Sequence, residues 1–88
     1  MLQTKFFILG NLVGTIYDFP EVDDVLPMHT HTESDVHISV VAKGSFWAHG
    51  NGWERIVVAG DVLDWRANDP HEFVALDAGA RLVNIVKS

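Results

Sequence analysis

The sequence predicts an all-β fold, an antiparallel barrel with little or no helix, and three observations support this prediction. Turn signals built from Gly, Asn, Asp and Pro recur every eight to twelve residues. The segments between these turns are short and rich in β-branched and aromatic residues. None of the segments shows a sustained helical period.

Nine segments have the length and composition of strands. They are residues 6–9, 12–19, 25–31, 37–42, 45–49, 53–58, 62–65, 71–76 and 81–86. The run Gly50-Asn51-Gly52 between the fifth and sixth segments predicts a tight hairpin, because Asn and Gly accept the positive φ that such turns require. Short strands with closely spaced turns indicate one barrel or sandwich, so residues 1–88 are expected to form a single domain.

Several of the predicted strands are apolar at both odd and even positions, as in residues 38–42 and 83–86. A strand with two apolar faces is expected to be covered on both sides. A chain of 88 residues also buries only about 60–65% of its unfolded surface, so its own core is small. Both observations favour a homodimer in which a partner covers one outer face, together with the strand at residues 6–9.

The composition excludes several classes of protein. Hydrophobic residues make up 48% of the chain, too many for a disordered segment, yet no stretch approaches the roughly 18 apolar residues of a membrane span. Residues 1–9 lack the basic and long apolar regions of a secretion signal, so a cytoplasmic protein is expected. The net charge of −6 is spread without a basic patch, and neither nucleic acid nor a membrane is an expected partner.

Four of the five histidines point to a metal site: His29, His31, His37 and His71. The chain has no cysteine, so only His, Asp and Glu can supply strong ligands. Residues i and i+2 of a strand point to the same face, roughly 6.5–7 Å apart, so His29 and His31 are able to converge on one ion. A His-x-His pair alone is a weak signal, and its context must support it. The fifth histidine, His49, is expected to be an ordinary hydrogen-bonded residue.

Residues 28–75 resemble the two linked motifs of the cupin superfamily, G-x5-H-x-H-x3,4-E-x6-G and G-x5-P-x-G-x2-H-x3-N. His37 lies seven residues before Gly44, the spacing between the third ligand and the closing glycine of the first motif. Gly60 takes the first glycine of the second motif, and His71 falls in register as its ligand. Five motif positions differ: Asp23 replaces the first glycine, His37 the glutamate, Arg66 the proline, Asn68 the inner glycine and Ala75 the final asparagine.

The resemblance implies a small single-domain cupin, a jelly-roll barrel built as an antiparallel double-stranded β-helix. It also implies one divalent transition metal, Zn, Ni, Fe, Mn or Cu, bound by His29, His31, His37 and His71. Five residues separate His31 from His37, where the family has three or four. A second register, in which Glu33 is a ligand, matches the family spacing.

Two functions are compatible with such a site. The first is a metal-dependent enzyme with dioxygenase-like or isomerase-like chemistry on a small polar molecule. The second is a non-catalytic cupin that binds or senses a small ligand. No catalytic residue is assigned by the sequence. Arg66, beside the second motif, is expected either to contact an anionic substrate at the cavity rim or to form a surface ion pair.

Overall fold

The computed structural model of the chain describes residues 1–30 and 37–87, and every regular element in these two ranges is a strand. The nine strands, in chain order, are β1 (Gln3–Leu9), β2 (Leu12–Phe19), β3 (Val25–His29), β4 (His37–Lys43), β5 (Ser45–Gly50), β6 (Trp53–Val58), β7 (Val62–Asp64), β8 (His71–Ala75) and β9 (Ala80–Lys87). Within the same ranges, no helix is long and apolar enough to cross a membrane.

The strands form two antiparallel sheets. The first sheet has five strands in the order β1-β2-β9-β4-β7, and the second has four in the order β3-β8-β5-β6. Non-consecutive strands are neighbours in both sheets, which is typical of a jelly roll rather than an up-and-down barrel. The prediction of an all-β double-stranded β-helix is therefore confirmed.

The predicted strands all occur, with shifts at their ends. β1 begins at Gln3, before the predicted start, because the polar residues Gln3, Thr4 and Lys5 continue the backbone ladder with β2. The predicted third strand reaches residue 31, whereas β3 ends at His29. The hairpin between β5 and β6 is confirmed, and its positive φ of 72° falls on Gly52.

The interior of the barrel is divided into an apolar half and a polar half. In the apolar half, the ring of Phe46 packs edge-on against Phe19 and Phe73, with centroids 4.8 and 5.9 Å apart. The buried polar residues of the described ranges gather in the other half: His37, Ser39, His71 and Asn84. Strands β4, β8 and β9 each contribute to both halves, since inward residues two apart on one strand share a face.

An ion pair joins β2 to β9 on the outer face of the five-stranded sheet. Arg81 donates from Nε to Asp18 Oδ1 at 2.7 Å and from Nη2 to Asp18 Oδ2 at 3.1 Å. These hydrogen bonds hold the pKa of Asp18 below its ordinary value of 3.8. The unfolded chain therefore takes up a proton at a higher pH than the folded chain does.

We expect this pair to make a small acid-dependent contribution to stability. Its contribution is present above the unfolded pKa of Asp18 and is lost as the pH falls through the lower, folded value. Between pH 5 and pH 3, in thermal unfolding, the wild type should lose more stability than Asp18→Asn does. Glu21→Gln removes an exposed carboxylate without such a partner and should follow the wild type. Parallel pH profiles for the wild type and Asp18→Asn would contradict the assignment.

Candidate metal centre

His71 lies at the centre of the candidate site. It is the first residue of β8 and is fully buried, with its side chain directed into the polar half of the barrel. Its Nδ1 atom lies 2.9 Å from the backbone oxygen of Asp69. A carbonyl oxygen only accepts hydrogen bonds, so Nδ1 must carry the ring proton. In the neutral ring, the lone pair is then on Nε2, which is a buried atom.

A β-bulge brings His29 opposite His71. In the ladder between β3 and β8, Leu26 pairs with Phe73, and the register shifts before His29 pairs with His71. Without the extra residue, Met28 would occupy the inward position that His29 holds. Pro27 lies within the bulge, where its missing N–H costs no ladder bond.

The second imidazole has the same tautomer as the first. His29 Nδ1 lies 2.7 Å from the backbone oxygen of Pro27, so this nitrogen also donates and the lone pair is on Nε2. The ring centroids of His29 and His71 are 4.3 Å apart, in an edge-to-face arrangement. Two imidazoles from neighbouring strands are thus held close together, each oriented by a backbone carbonyl.

His37 supplies a third imidazole from the opposite sheet. It opens β4, is 3% exposed, and its ring centroid lies 5.5 Å from that of His71. Imidazoles bound at about 2.1 Å to one ion have centroids roughly 4.5 to 5.5 Å apart. The separation of 5.5 Å lies within this range, and the 4.3 Å between His29 and His71 is slightly shorter. However, no group of three or more His, Asp or Glu side chains within residues 1–30 and 37–87 has the full geometry of a metal site.

The remaining predicted ligands lie outside the described residues. These are His31 and the possible alternative ligand Glu33. Imidazole nitrogen is a donor type that divalent transition metals take, and the described residues bring three imidazoles together, two of them oriented by backbone carbonyls.

The turn before β8 places His71 in the barrel. Asn68 has a positive φ of 67°, and the turn is closed by Arg66 N–H donating to Asp69 Oδ2 at 3.1 Å. The following Pro70 packs against Gly50, where any larger side chain would meet the Pro70 carbonyl and the indole of Trp53. Arg66 itself is exposed on this turn.

The motif positions expected to hold glycine have the backbone conformation that glycine favours. Gly44 and Gly60 have φ values of 75° and 98°, and the replacements Asp23 and Asn68 have values of 72° and 67°. Asp23 and Asn68 are the only non-glycine residues of the described ranges with positive φ. Asp and Asn tolerate this conformation better than other side chains, so the replacements preserve the motif turns.

A series of hydrogen bonds between side chains lies beside the histidines, and it was not predicted from the sequence. Trp65 stacks on His71 with centroids 4.0 Å apart and planes 9° from parallel. Its Nε1 donates to Ser39 Oγ at 2.9 Å, and Ser39 Oγ donates to Asn84 Oδ1 at 2.6 Å. Ser39 and Asn84 are the inward residues of two strands interpreted as apolar on both faces, so that interpretation is corrected. Their polar side chains on the inward parity were the available signal.

His49 lies on the other side of its sheet. Its neighbour Ala48 is buried, whereas His49 faces outward, stacked on Trp47 with centroids 4.0 Å apart. His49 Nε2 is 3.5 Å from Glu72 Oε2. This histidine is separated from the candidate site by the thickness of the sheet.

Comparison with known proteins identifies the fold through structure alone. No protein-family model and no curated protein sequence matches this chain. KdgF from Halomonas sp. has a TM-score of 0.87 at 22% identity, covering 98% of this chain and 79% of its own. A Cupin 2 conserved barrel domain protein from Salinispora arenicola scores 0.84 at 17% identity, with 99% and 76% covered. An RmlC-like cupin from Shewanella frigidimarina scores 0.82 at 20% identity, with 98% and 75% covered.

Proposed function

Because the chain has the cupin fold, we propose that it is a metal-binding cupin that takes a small polar molecule at one divalent metal ion. The ligands in this proposal are His29, His31, His37 and His71, with Glu33 as the alternative to a histidine. One observation carries the proposal: backbone carbonyls accept from Nδ1 of both His29 and His71, so Nε2 is the coordinating atom of each ring in a cluster where His71 is buried and His29 half-buried.

Imidazole ligands suit Zn, Ni, Fe, Mn or Cu. Because these ligands are neutral, a bound ion would keep its full positive charge and act as a Lewis acid toward a small oxygen-bearing molecule. Such chemistry would support a dioxygenase-like or isomerase-like reaction. The residues of this chain contribute orientation and exclusion of water, since His71 is fully buried and Trp65 covers one face of its ring.

A second candidate function is non-catalytic binding or sensing of a small ligand. The observation that favours it is the character of the polar half of the barrel. The buried polar residues of the described ranges are His37, Ser39, His71 and Asn84, and none is a carboxylate. In the proposed site His37 and His71 are bound to the metal, so none of these four residues remains as a general acid or base, which suits binding without proton transfer.

Metal analysis of the purified protein tests the proposed function. We expect about one transition-metal ion per chain, removed by a chelator and restored by Zn(II), with a higher melting temperature for the metal-bound form. Mg(II), which prefers oxygen ligands, serves as the matched control and should leave the melting temperature unchanged. A chain that binds neither Zn(II), Ni(II), Fe(II), Mn(II) nor Cu(II) at stoichiometric levels would rule out the proposal.

The proposed partner is a second copy of the chain, paired through β1. This strand is at the edge of the five-stranded sheet and bonds only to β2 among the described strands. Phe6, Ile8 and Leu9 on it are 72%, 75% and 69% exposed. A long apolar edge strand is a template for pairing, and identical edges pair antiparallel about a two-fold axis.

Sedimentation tests the dimer with a pair of lysine variants. The wild type should sediment as a dimer at micromolar concentration, and Ile8→Lys should shift it to the monomer because a charge at the edge opposes pairing. Val58→Lys introduces the same charge on the four-stranded sheet, at a position 51% exposed, and should remain dimeric. A monomeric wild type would exclude this interface.

A further inference from the structure

We propose that Asn84 is a ligand-binding residue of this site and donates an N–H group to a carboxylate oxygen of the small molecule. The inference rests on the proposed function for its location beside a metal ion. The observation behind it is a series of two hydrogen bonds between buried or half-buried side chains. Trp65 donates to Ser39, and Ser39 donates to Asn84.

The direction is set by the indole. Trp65 Nε1 carries a hydrogen and has no lone pair to offer, so it can only donate. Its acceptor is Ser39 Oγ at 2.9 Å. The single hydroxyl proton of Ser39 is then directed elsewhere, and the second contact of Ser39 Oγ is Asn84 Oδ1 at 2.6 Å. Ser39 therefore accepts from Trp65 and donates to Asn84.

This direction also fixes the amide of Asn84. Because Ser39 supplies a proton, the Asn84 atom that faces it must be the carbonyl oxygen. The amide nitrogen with its two N–H groups is consequently turned away from Ser39. Asn84 is 4% exposed, so its amide group is largely shielded from bulk solvent. Buried donors of this kind favour an acceptor oxygen on a ligand.

Asn84 lies close to the histidines in the sheet. It is opposite Ser39 in the ladder between β4 and β9, and His37 is two residues before Ser39 on the same face. Diagonal neighbours of this kind are roughly 7–8 Å apart, within the span of a small ligand. The other end of the hydrogen-bond chain reaches the site as well, because Trp65 stacks on His71.

The ligand class follows from the two kinds of group that face it. A metal ion attracts a negatively charged oxygen, and the Asn84 amide needs an uncharged or anionic oxygen acceptor. A carboxylate meets both requirements with its two oxygens. A ligand that binds metal through nitrogen and carries no oxygen meets only the first.

Nuclear magnetic resonance of the side-chain amides tests this inference. The chain has five such groups, on Gln3, Asn11, Asn51, Asn68 and Asn84. The Asn84 signal is identified by its loss in Asn84→Asp. In the Zn(II)-loaded protein, acetate should shift the Asn84 signal and leave the other four in place. Imidazole, a metal ligand without oxygen, should not shift the Asn84 signal.

Two variants then distinguish acetate binding at the Asn84 amide from acetate binding at the metal. Asn84→Asp keeps the acceptor for Ser39 but replaces the donors by a carboxylate, so acetate affinity should fall at least about tenfold while Zn(II) content stays at the wild-type level. Ser39→Ala releases the amide and should weaken acetate binding, whereas Ser45→Ala, whose hydroxyl bonds to Asp77 far from the site, should not. The indole N–H signal of Trp65 reports acetate binding in these variants.

Different results would contradict the metal site and the role of Asn84. A protein that takes up no Zn(II) would contradict the metal site. Acetate titration of that protein would still show, through the Asn84 amide signal, whether acetate binds beside Asn84. An Asn84 signal unmoved by saturating acetate overturns the inference, as does unchanged acetate affinity in Asn84→Asp.

Discussion

Replacing His71 with alanine is expected to remove most of the bound metal. His71 is the shared neighbour of the cluster, since its ring lies 4.3 Å from His29 and 5.5 Å from His37. Removal of one strong ligand from a small site lowers metal affinity by orders of magnitude. We expect metal content after desalting to fall below about one tenth of the wild-type value, by elemental analysis.

His49→Ala is the matched control for His71→Ala. Both variants lose one imidazole from the four-stranded sheet, but His49 faces outward against Trp47 and Glu72. Metal content in His49→Ala should equal that of the wild type. Equal metal loss in the two variants would show that the ion, if bound, is not held where we propose.

Metal binding to the wild type should also weaken below about pH 6, because protonated imidazole cannot coordinate a metal.

The second large effect is on stability. Phe46→Ala should reduce the free energy of unfolding by about 3 to 5 kcal/mol, because it leaves a cavity between two other rings. Phe46 is fully buried, and its ring packs against both Phe19 and Phe73. In a domain of this size, each kcal/mol shifts the melting temperature by about 4–8 °C, so a fall of more than about 12 °C is expected.

Ile56→Ala controls for the loss of a large apolar side chain in the same sheet. Ile56 is 63% exposed on the outer face. Its truncation should change the free energy of unfolding by no more than about 0.5 kcal/mol. Similar losses in Phe46→Ala and Ile56→Ala, measured by denaturant unfolding, would contradict the division of the barrel into core and surface described above.

The strands and the turns of this fold are local properties, and the sequence predicts them well. Alternation and turn residues determine where β2 and β6 begin and end, and both match the prediction. The replacements Asp23 and Asn68 were interpreted as substitutes for motif glycines, and their positive φ agrees with this interpretation. Each of these features depends on a few adjacent residues.

The features of the candidate site that were not predicted depend on pairing between distant strands. The bulge that turns His29 inward exists only relative to β8, and Pro27 was the sole local sign of it. The bond from Ser39 to Asn84 joins residues 45 positions apart. A sequence period shows that two residues share a face, but it does not show which strands bring those faces together.

The division of the barrel interior has an evolutionary consequence. In the proposed site, substitution of Asn84 changes the group that meets a ligand and substitution of Ser39 changes the group that orients Asn84. Phe19, Phe46 and Phe73 belong to the apolar core. Mutations that change the proposed binding groups therefore fall on side chains other than the phenylalanine core, which touches the polar half through Phe73, 6.0 Å from Trp65 between ring centroids. A lineage of such small barrels can acquire a new ligand by a few exchanges in the polar half without first rebuilding its core.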